Sequence, residues 1–318
     1  MRVRFVLCLV LCLSLFSCGP RKKTATAAAN RPFPMAEIPI MFEEPDERLS
    51  WLVQHFWDRF TDPDKLYLSD SLHINGVLAD DVEKQMGIFA TVLLENASPK
   101  DGESAMERLF DQSEAFQKTH PSGNLFPRMN DLVIKYFYDP NSPLRSEALY
   151  LPYATRLASS ELITPLERQR YARDAKLCAL NRPGTPAADF RFIDSFGHAR
   201  TLYGIKARLT LLIFGNPDCH ACRDLQAAME ENAELSSTIA SGELKVVDIY
   251  IDEDIETWKQ RIPEYPASWT NGYDPDFVIR ADLIYNVRAL PSLYLLDQDK
   301  TVILKDCTPE QLFATLGF

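Results

Sequence analysis

The sequence predicts two folded parts, an all-α domain followed by an α/β domain whose mixed central sheet is flanked by helices. Three observations carry this. Apolar residues recur at helical spacing from about residue 38 to 181. The stretch Asn181-Arg182-Pro183-Gly184-Thr185-Pro186 then places two prolines and a glycine in six residues, which breaks any helix and marks a boundary. Beyond it come buried-strand patterns, a helix between two of them, a hairpin and a last helix.

In the helical part, Asp46 to Phe60 sets Leu49, Leu52, Val53, Phe56, Trp57 and Phe60 three and four residues apart. Leu78 to Leu94 repeats the pattern with Val82, Met86, Phe89, Val92 and Leu93. Further helices are expected at 101–118, 127–138, 145–159 and 164–180. The last opens with Thr164-Pro165 and carries Glu167 three residues after Thr164, a capping-box arrangement with proline at the first helical position. Breakers separate the helices at Thr61-Asp62-Pro63, Pro121-Ser122-Gly123 and Asp139-Pro140-Asn141. His55, His73 and His120 have no ligand-spaced partners. Trp51, Phe56, Trp57 and Phe60 could line a groove, but aromatics at helical spacing are what a core requires.

In the second part, Phe190 to Asp194 reads as a short strand and Gly197 as a turn. LTLLIF (Leu209 to Phe214) is a buried strand, and a helix is expected from Cys222 to about Ile239. LKVVDIYI (Leu244 to Ile251) is a second buried strand and Ser292 to Leu296 a third. Thr301 to Leu304 pairs with it across the turn Asp297 to Lys300, and Pro309 to Leu316 forms the last helix.

The chain has 318 residues, 46% of them hydrophobic and 25% charged, the composition of a folded protein. Its N-terminus carries Arg2 and Arg4 ahead of a short apolar run, Phe5 to Phe16, with the form of a signal peptide. The run ends in Leu15-Phe16-Ser17-Cys18, which resembles the bacterial lipobox. That resemblance implies a signal peptide over 1–17, a lipid on Cys18 and a flexible tether over 18–37. The alternative is an ordinary signal with a chance cysteine. Losing Arg2 and Arg4 would take the formal charge from −11 to −13. So acidic a chain lacks the basic footprint of a nucleic-acid binder. The expected placement is a soluble body in the periplasm, held by lipid to the inner or outer membrane of a Gram-negative bacterium.

Seven cysteines occur. Cys8 and Cys12 would leave with the signal and Cys18 would be acylated, so Cys178, Cys219, Cys222 and Cys307 remain. Four are too few for a disulfide scaffold in a body this size, and one close pair in an exported protein reads as chemistry. Cys178 and Cys307 read as single buried thiols.

The close pair is Cys219-His220-Ala221-Cys222. By itself it is a redox dithiol, half of a metal site or two buried thiols. LTLLIF places it after a strand, Gly215 to Asp218 form the turn, and Cys219 falls at a helix start. Unpaired N–H groups and the positive end of the helix dipole favour a thiolate there, so its pKa is expected to fall. His220 can add a hydrogen bond or a positive charge, whereas a carboxylate at Asp218 works against a second anion. Cys222, one turn into the helix, can resolve a mixed disulfide formed at Cys219.

With those residues in view, 182–318 resembles the thioredoxin-like fold and, within it, the membrane-anchored TlpA/ResA branch. Gly184 to Gly197 is similar to the branch's opening segment, Phe214 to Cys222 (FGNPDCHAC) to its core motif, and Tyr285 to Asp297 (YNVRALPSLYLLD) to the segment around the fold's cis-proline. The resemblance implies that Pro291 is that proline, packed beside the Cys219–Cys222 disulfide, and that the backbone of Leu290 pairs with substrate. It also exposes departures. Asp218 stands where thioredoxins carry tryptophan, and the motif lacks its frequent proline. Ile213 occupies the place of thioredoxin's buried acid, and Leu225 that of the branch's glutamate. The proton acceptor for Cys222 is therefore unidentified. The segment Asp252 to Ile284, with Trp258, Tyr265, Trp269 and Tyr273, reads either as a rim over the dithiol or as a packed surface insertion. The helical part is similar to a domain of unknown function that Bacteroidetes lipoproteins join to a thioredoxin-like domain.

The resemblance implies a thiol–disulfide oxidoreductase, with reduction the favoured direction. Cys219 would attack, Cys222 would resolve, and Asp218, His220 and Pro291 would support them, with no metal and no cofactor. The implied partners are disulfide-bearing envelope proteins and an upstream electron donor. Three alternatives stand beside it. A zinc site needs a second ligand pair that the sequence does not offer near the first. A peroxidase of the peroxiredoxin type would need proline at Leu212 and Ser or Thr at Asn216. A non-catalytic cell-envelope binding module with a static Cys219–Cys222 disulfide stays open.

Overall fold

A computed structural model describes residues 30–317. The expected signal peptide, the expected lipidation site Cys18 and the start of the expected tether lie outside them.

The helical part comprises α1 (Pro45–His55), a short hairpin of β1 (His73–Ile74) and β2 (Val77–Leu78), α2 (Ala79–Glu95), α3 (Pro99–Thr119), α4 (Leu125–Val133), α5 (Glu147–Leu157) and α6 (Pro165–Cys178). Local chemistry sets the starts. Ser98 caps α3 by accepting from the Asp101 amide at 3.1 Å, with Pro99 in the first turn. Thr164 and Glu167 form the expected capping box on α6. The part is helical as expected, with one small addition, the hairpin in which Asn75 (φ 47°) and Gly76 (φ 82°) turn the chain between β1 and β2. Two boundaries are corrected. α1 ends at His55, and 56–60 continue as turns. The last turn of 127–138 is π-helical, from Ile134 to Tyr138. Phe56, Trp57 and Phe60 are buried with Phe89, Met106 and Phe116 in one core, so these three pack rather than lining a groove, while Trp51 is half-buried and stacks on His55.

The second part is a seven-stranded sheet made of β3 (Arg191–Asp194), β4 (Ala199–Thr201), β5 (Leu209–Gly215), β6 (Leu244–Tyr250), β7 (Thr270–Tyr273), β8 (Ser292–Leu296) and β9 (Val302–Lys305). Their spatial order is β4-β3-β7-β6-β5-β8-β9. β6 runs parallel to β5 and β7, and the other pairings are antiparallel, so the sheet is mixed as expected. Helices α7 (His220–Glu231), α8 (Ala233–Ala240), α9 (Ile255–Arg261) and α10 (Pro309–Leu316) complete it. The single helix expected through Ile239 is two helices. Asn232 leaves helical geometry (ψ 104°), and its side chain accepts from the Leu235 amide at 2.9 Å to cap α8. β4 and β7 lie where no strand was expected. β7 inserts between β3 and β6, and Trp258 on α9 is buried against Tyr250, so much of 252–284 is sheet and core.

The two faces of the sheet follow from strand alternation. Leu211 and Ile213 of β5 join Leu225, Met229, Leu235 and Leu312 on one side. Leu212 and Phe214 join Phe190, Phe192, Tyr285 and Tyr294 on the other. Fully burying one such side chain stabilises the fold by about 2 kcal/mol. The register Ile213↔Asp248 and the position of Val246 in the first cluster put Asp248 on the face that α7 covers.

Candidate active site

β5 ends at Gly215, and Asn216 turns the chain: its side chain accepts from the Asp218 amide at 2.8 Å and its carbonyl from the Cys219 amide at 3.0 Å. Cys219 is the N-cap of α7. Its Sγ accepts from the Cys222 amide at 3.3 Å, in the direction of the helix N-terminus. The same thiol donates to the carbonyl of Leu290 at 3.5 Å. The Leu290–Pro291 peptide bond is cis. The structure thus brings Cys219, Cys222 and Pro291 together. Both cysteines are half-buried free thiols. Burial, together with the hydrogen bond to Cys219, pushes the Cys222 thiol up.

The neighbours differ from expectation. His220 is exposed, and its Nε2 lies 3.5 Å from Asp224, one turn along α7, rather than on the Cys219 thiol. Asp218 forms an ion pair with Arg261 of α9, Nη1 to Oδ1 at 3.0 Å. Arg261 therefore offsets the carboxylate that works against a thiolate at Cys219. Arg261 belongs to the 252–284 segment, so part of that segment does form a rim beside the dithiol.

A buried acid that shares a cavity with Cys222 is Asp248. It stands on β6, directly across from Ile213. It lines a cavity of about 150 Å³ together with Cys222, Tyr265, Asn216 and Gln226. It is buried, its Oδ1 has no hydrogen-bond partner among the described residues, and burial pushes its pKa up to about 7. Gly215 makes room for it: a Cβ there would lie 3.1 Å from both carboxylate oxygens. The hydroxyl of Tyr265 is also buried in that cavity, without a partner among the described residues. A carboxyl that titrates near neutrality can hold or release a proton at that pH, and this one shares its cavity with Cys222. Sequence reading passed over Asp248, although a lone acid inside the apolar strand LKVVDIYI is itself a signal. Cys178 and Cys307 are buried away from this site, and burial pushes the Cys307 thiol up to about 12. Among the described residues, no three His, Cys, Asp or Glu side chains are placed to hold a metal ion.

A mixed sheet with a helix N-terminus presenting two thiols beside a cis-proline defines a thioredoxin-like protein. A family model described as a domain of unknown function, DUF5106, matches residues 17–181, and the chain belongs to that family, with the thioredoxin-like domain following. The crystal structure of a thioredoxin-like protein from Bacteroides caccae matches 90% of this chain and 98% of its own, at 31% identity and a TM-score of 0.78. Two structures from Bacteroides fragilis each match part of the chain. One is the C-terminal domain of an uncharacterized protein, at 40% identity over 43% of this chain and 99% of its own, TM-score 0.42. The other is a conserved protein of unknown function, at 36% identity over 42% and 98%, TM-score 0.42. No curated protein matches the chain.

Proposed function

We propose that the protein is a thiol–disulfide oxidoreductase that reduces disulfides of cell-envelope proteins, held to the membrane by lipid on Cys18. The observation that carries it is the half-buried Cys219 thiol, between the α7 N-terminus and Leu290, with Cys222 behind it above Asp248. The Cys219 thiolate attacks one sulfur of a substrate disulfide; a Cys219–substrate bond forms and the other substrate sulfur leaves as a thiolate. Cys222 gives its proton to Asp248, and its thiolate attacks Cys219. The Cys219–Cys222 disulfide forms and the second substrate sulfur departs. The substrate gains two electrons and the dithiol loses two. A dithiol donor of the envelope restores the site by the reverse exchange. Insulin reduction by the purified protein, beside Cys219→Ser, tests the reading. Turnover by the wild type and none by the variant is expected. An inert wild type whose cysteines also resist dithiothreitol would favour a static binding module.

A further inference from the structure

We propose that the helical domain positions the substrate-contacting loop of the redox site, acting through Glu147. The inference rests on the exchange reaction above. A protein chain whose sulfur reaches Cys219 runs past Leu290 and Pro291, because the Leu290 carbonyl is 3.5 Å from the thiol, whereas a small disulfide covers little beyond the thiol itself. The chain leading into that dipeptide, Ile284 to Arg288, is held from the helical side at each turn. Asn181, at the domain boundary, donates to the Ile284 carbonyl at 2.7 Å. Glu147, at the start of α5, accepts from Asn286 at 2.5 Å and from Arg288 at 2.9 Å. The π-helical turn ends in Tyr138, whose carbonyl accepts from Arg288 and whose ring lies 4.4 Å from its guanidinium. A π-helical turn at such a contact fits its frequent use at functional positions.

The hold continues past the proline. Arg288 pairs with Asp306 at 2.7 Å, and Asp306 accepts from Ser292, the residue after Pro291, at 3.1 Å. Asp306 sits in the left-handed region (φ 47°), with its backbone carbonyl accepting from Arg145 of the helical part. Lys305 pairs with Glu147 at 2.7 Å and donates to the Cys178 carbonyl at the end of α6. Glu147 and Lys305 are almost completely buried and Arg288 nearly so. A weld between domains could use any surface. This one grips the residues on both sides of Leu290-Pro291. Buried ions paired with one another hold one geometry, and removing one leaves its partners unsatisfied. Glu147 touches neither thiol, so it is a positioning residue.

The test compares wild type with Glu147→Gln and Glu147→Asp on two substrates. For insulin, kcat/KM is expected to fall about tenfold in Glu147→Gln, mostly through KM, with partial recovery in Glu147→Asp. For glutathione disulfide, which spans little of the loop, the change is expected to stay within about twofold. Amide exchange at Arg288 to Ser292 should quicken in Glu147→Gln while β5 and β6 stay protected. Equal loss on both substrates, or no loss on either, with unchanged loop exchange overturns the proposal. If Glu147→Gln does not fold, Asn286→Ala, which removes one donor and leaves the ion pairs, is read by the same criteria. A wild type inert on both substrates would sink the oxidoreductase reading, and the loop exchange would still decide the role of Glu147.

Discussion

Ile213 on β5 and Asp248 on β6 are register partners, so the buried acid that the strand entering the motif lacks is carried by the strand beside it. The displacement keeps the carboxyl on the α7 face and in one cavity with Cys222. It also explains Gly215, where a side chain would press on the carboxylate.

Asp248→Asn removes the proton acceptor. Resolution of a mixed disulfide at Cys219 is expected to slow about a hundredfold at neutral pH. In the wild type that rate should rise with pH as the carboxyl ionises near 7, and in the variant the rise should vanish. Stopped-flow quenching with alkylation across pH measures both.

The same carboxyl costs stability when ionised. Burial raises it from 3.8 to about 7, so between those values the folded state holds a proton that the unfolded state has lost. Stability therefore falls as pH rises through that window, by about 4 kcal/mol in all. Asp248→Asn should be the more stable protein above pH 7, with the gap closing towards pH 4. Urea melts at several pH values check the sign.

Gly215→Ala should destabilise by about 1 kcal/mol, because a methyl 3.1 Å from both carboxylate oxygens makes the closely packed Asp248 side chain give way slightly. The double variant with Asp248→Ala should recover most of that loss.

Arg261→Gln leaves the Asp218 carboxylate unpaired beside Cys219. Alkylation of Cys219 is expected to slow by about threefold at low salt, and Asp218→Asn should restore it. A slowdown that Asp218→Asn leaves in place would assign Arg261 some other role.

Native alkylation should mark Cys219 first and Cys222 more slowly. Cys178 and Cys307 should react only on unfolding, since both are buried and burial raises both thiols. Peptide mapping after timed iodoacetamide quenching reads the order.

What could be read in advance followed local chemistry. The Thr164–Glu167 box, the strand LTLLIF, the helix from Pro309 and the placing of Cys219, Cys222 and Pro291 all have signals within a few residues. What escaped depends on pairing between distant segments. The register that sets Asp248 across from Ile213 is a property of the parallel sheet. Arg261 reaches Asp218 across 43 residues, and Arg288 reaches Glu147 across 141. β7 is four residues long with a glycine inside, too short for a clear alternation. His220 faces solvent because α7 starts there and turns its side chain towards Asp224.

The central claim, that Cys219 attacks and Cys222 resolves, is tested most directly by trapping. Cys222→Ser, exposed to a peptide disulfide and acid-quenched, is expected to accumulate a mixed disulfide on Cys219, seen by mass spectrometry, while Cys219→Ser accumulates none. An adduct on Cys222 in Cys219→Ser at a comparable rate, or no adduct in either variant, would contradict it.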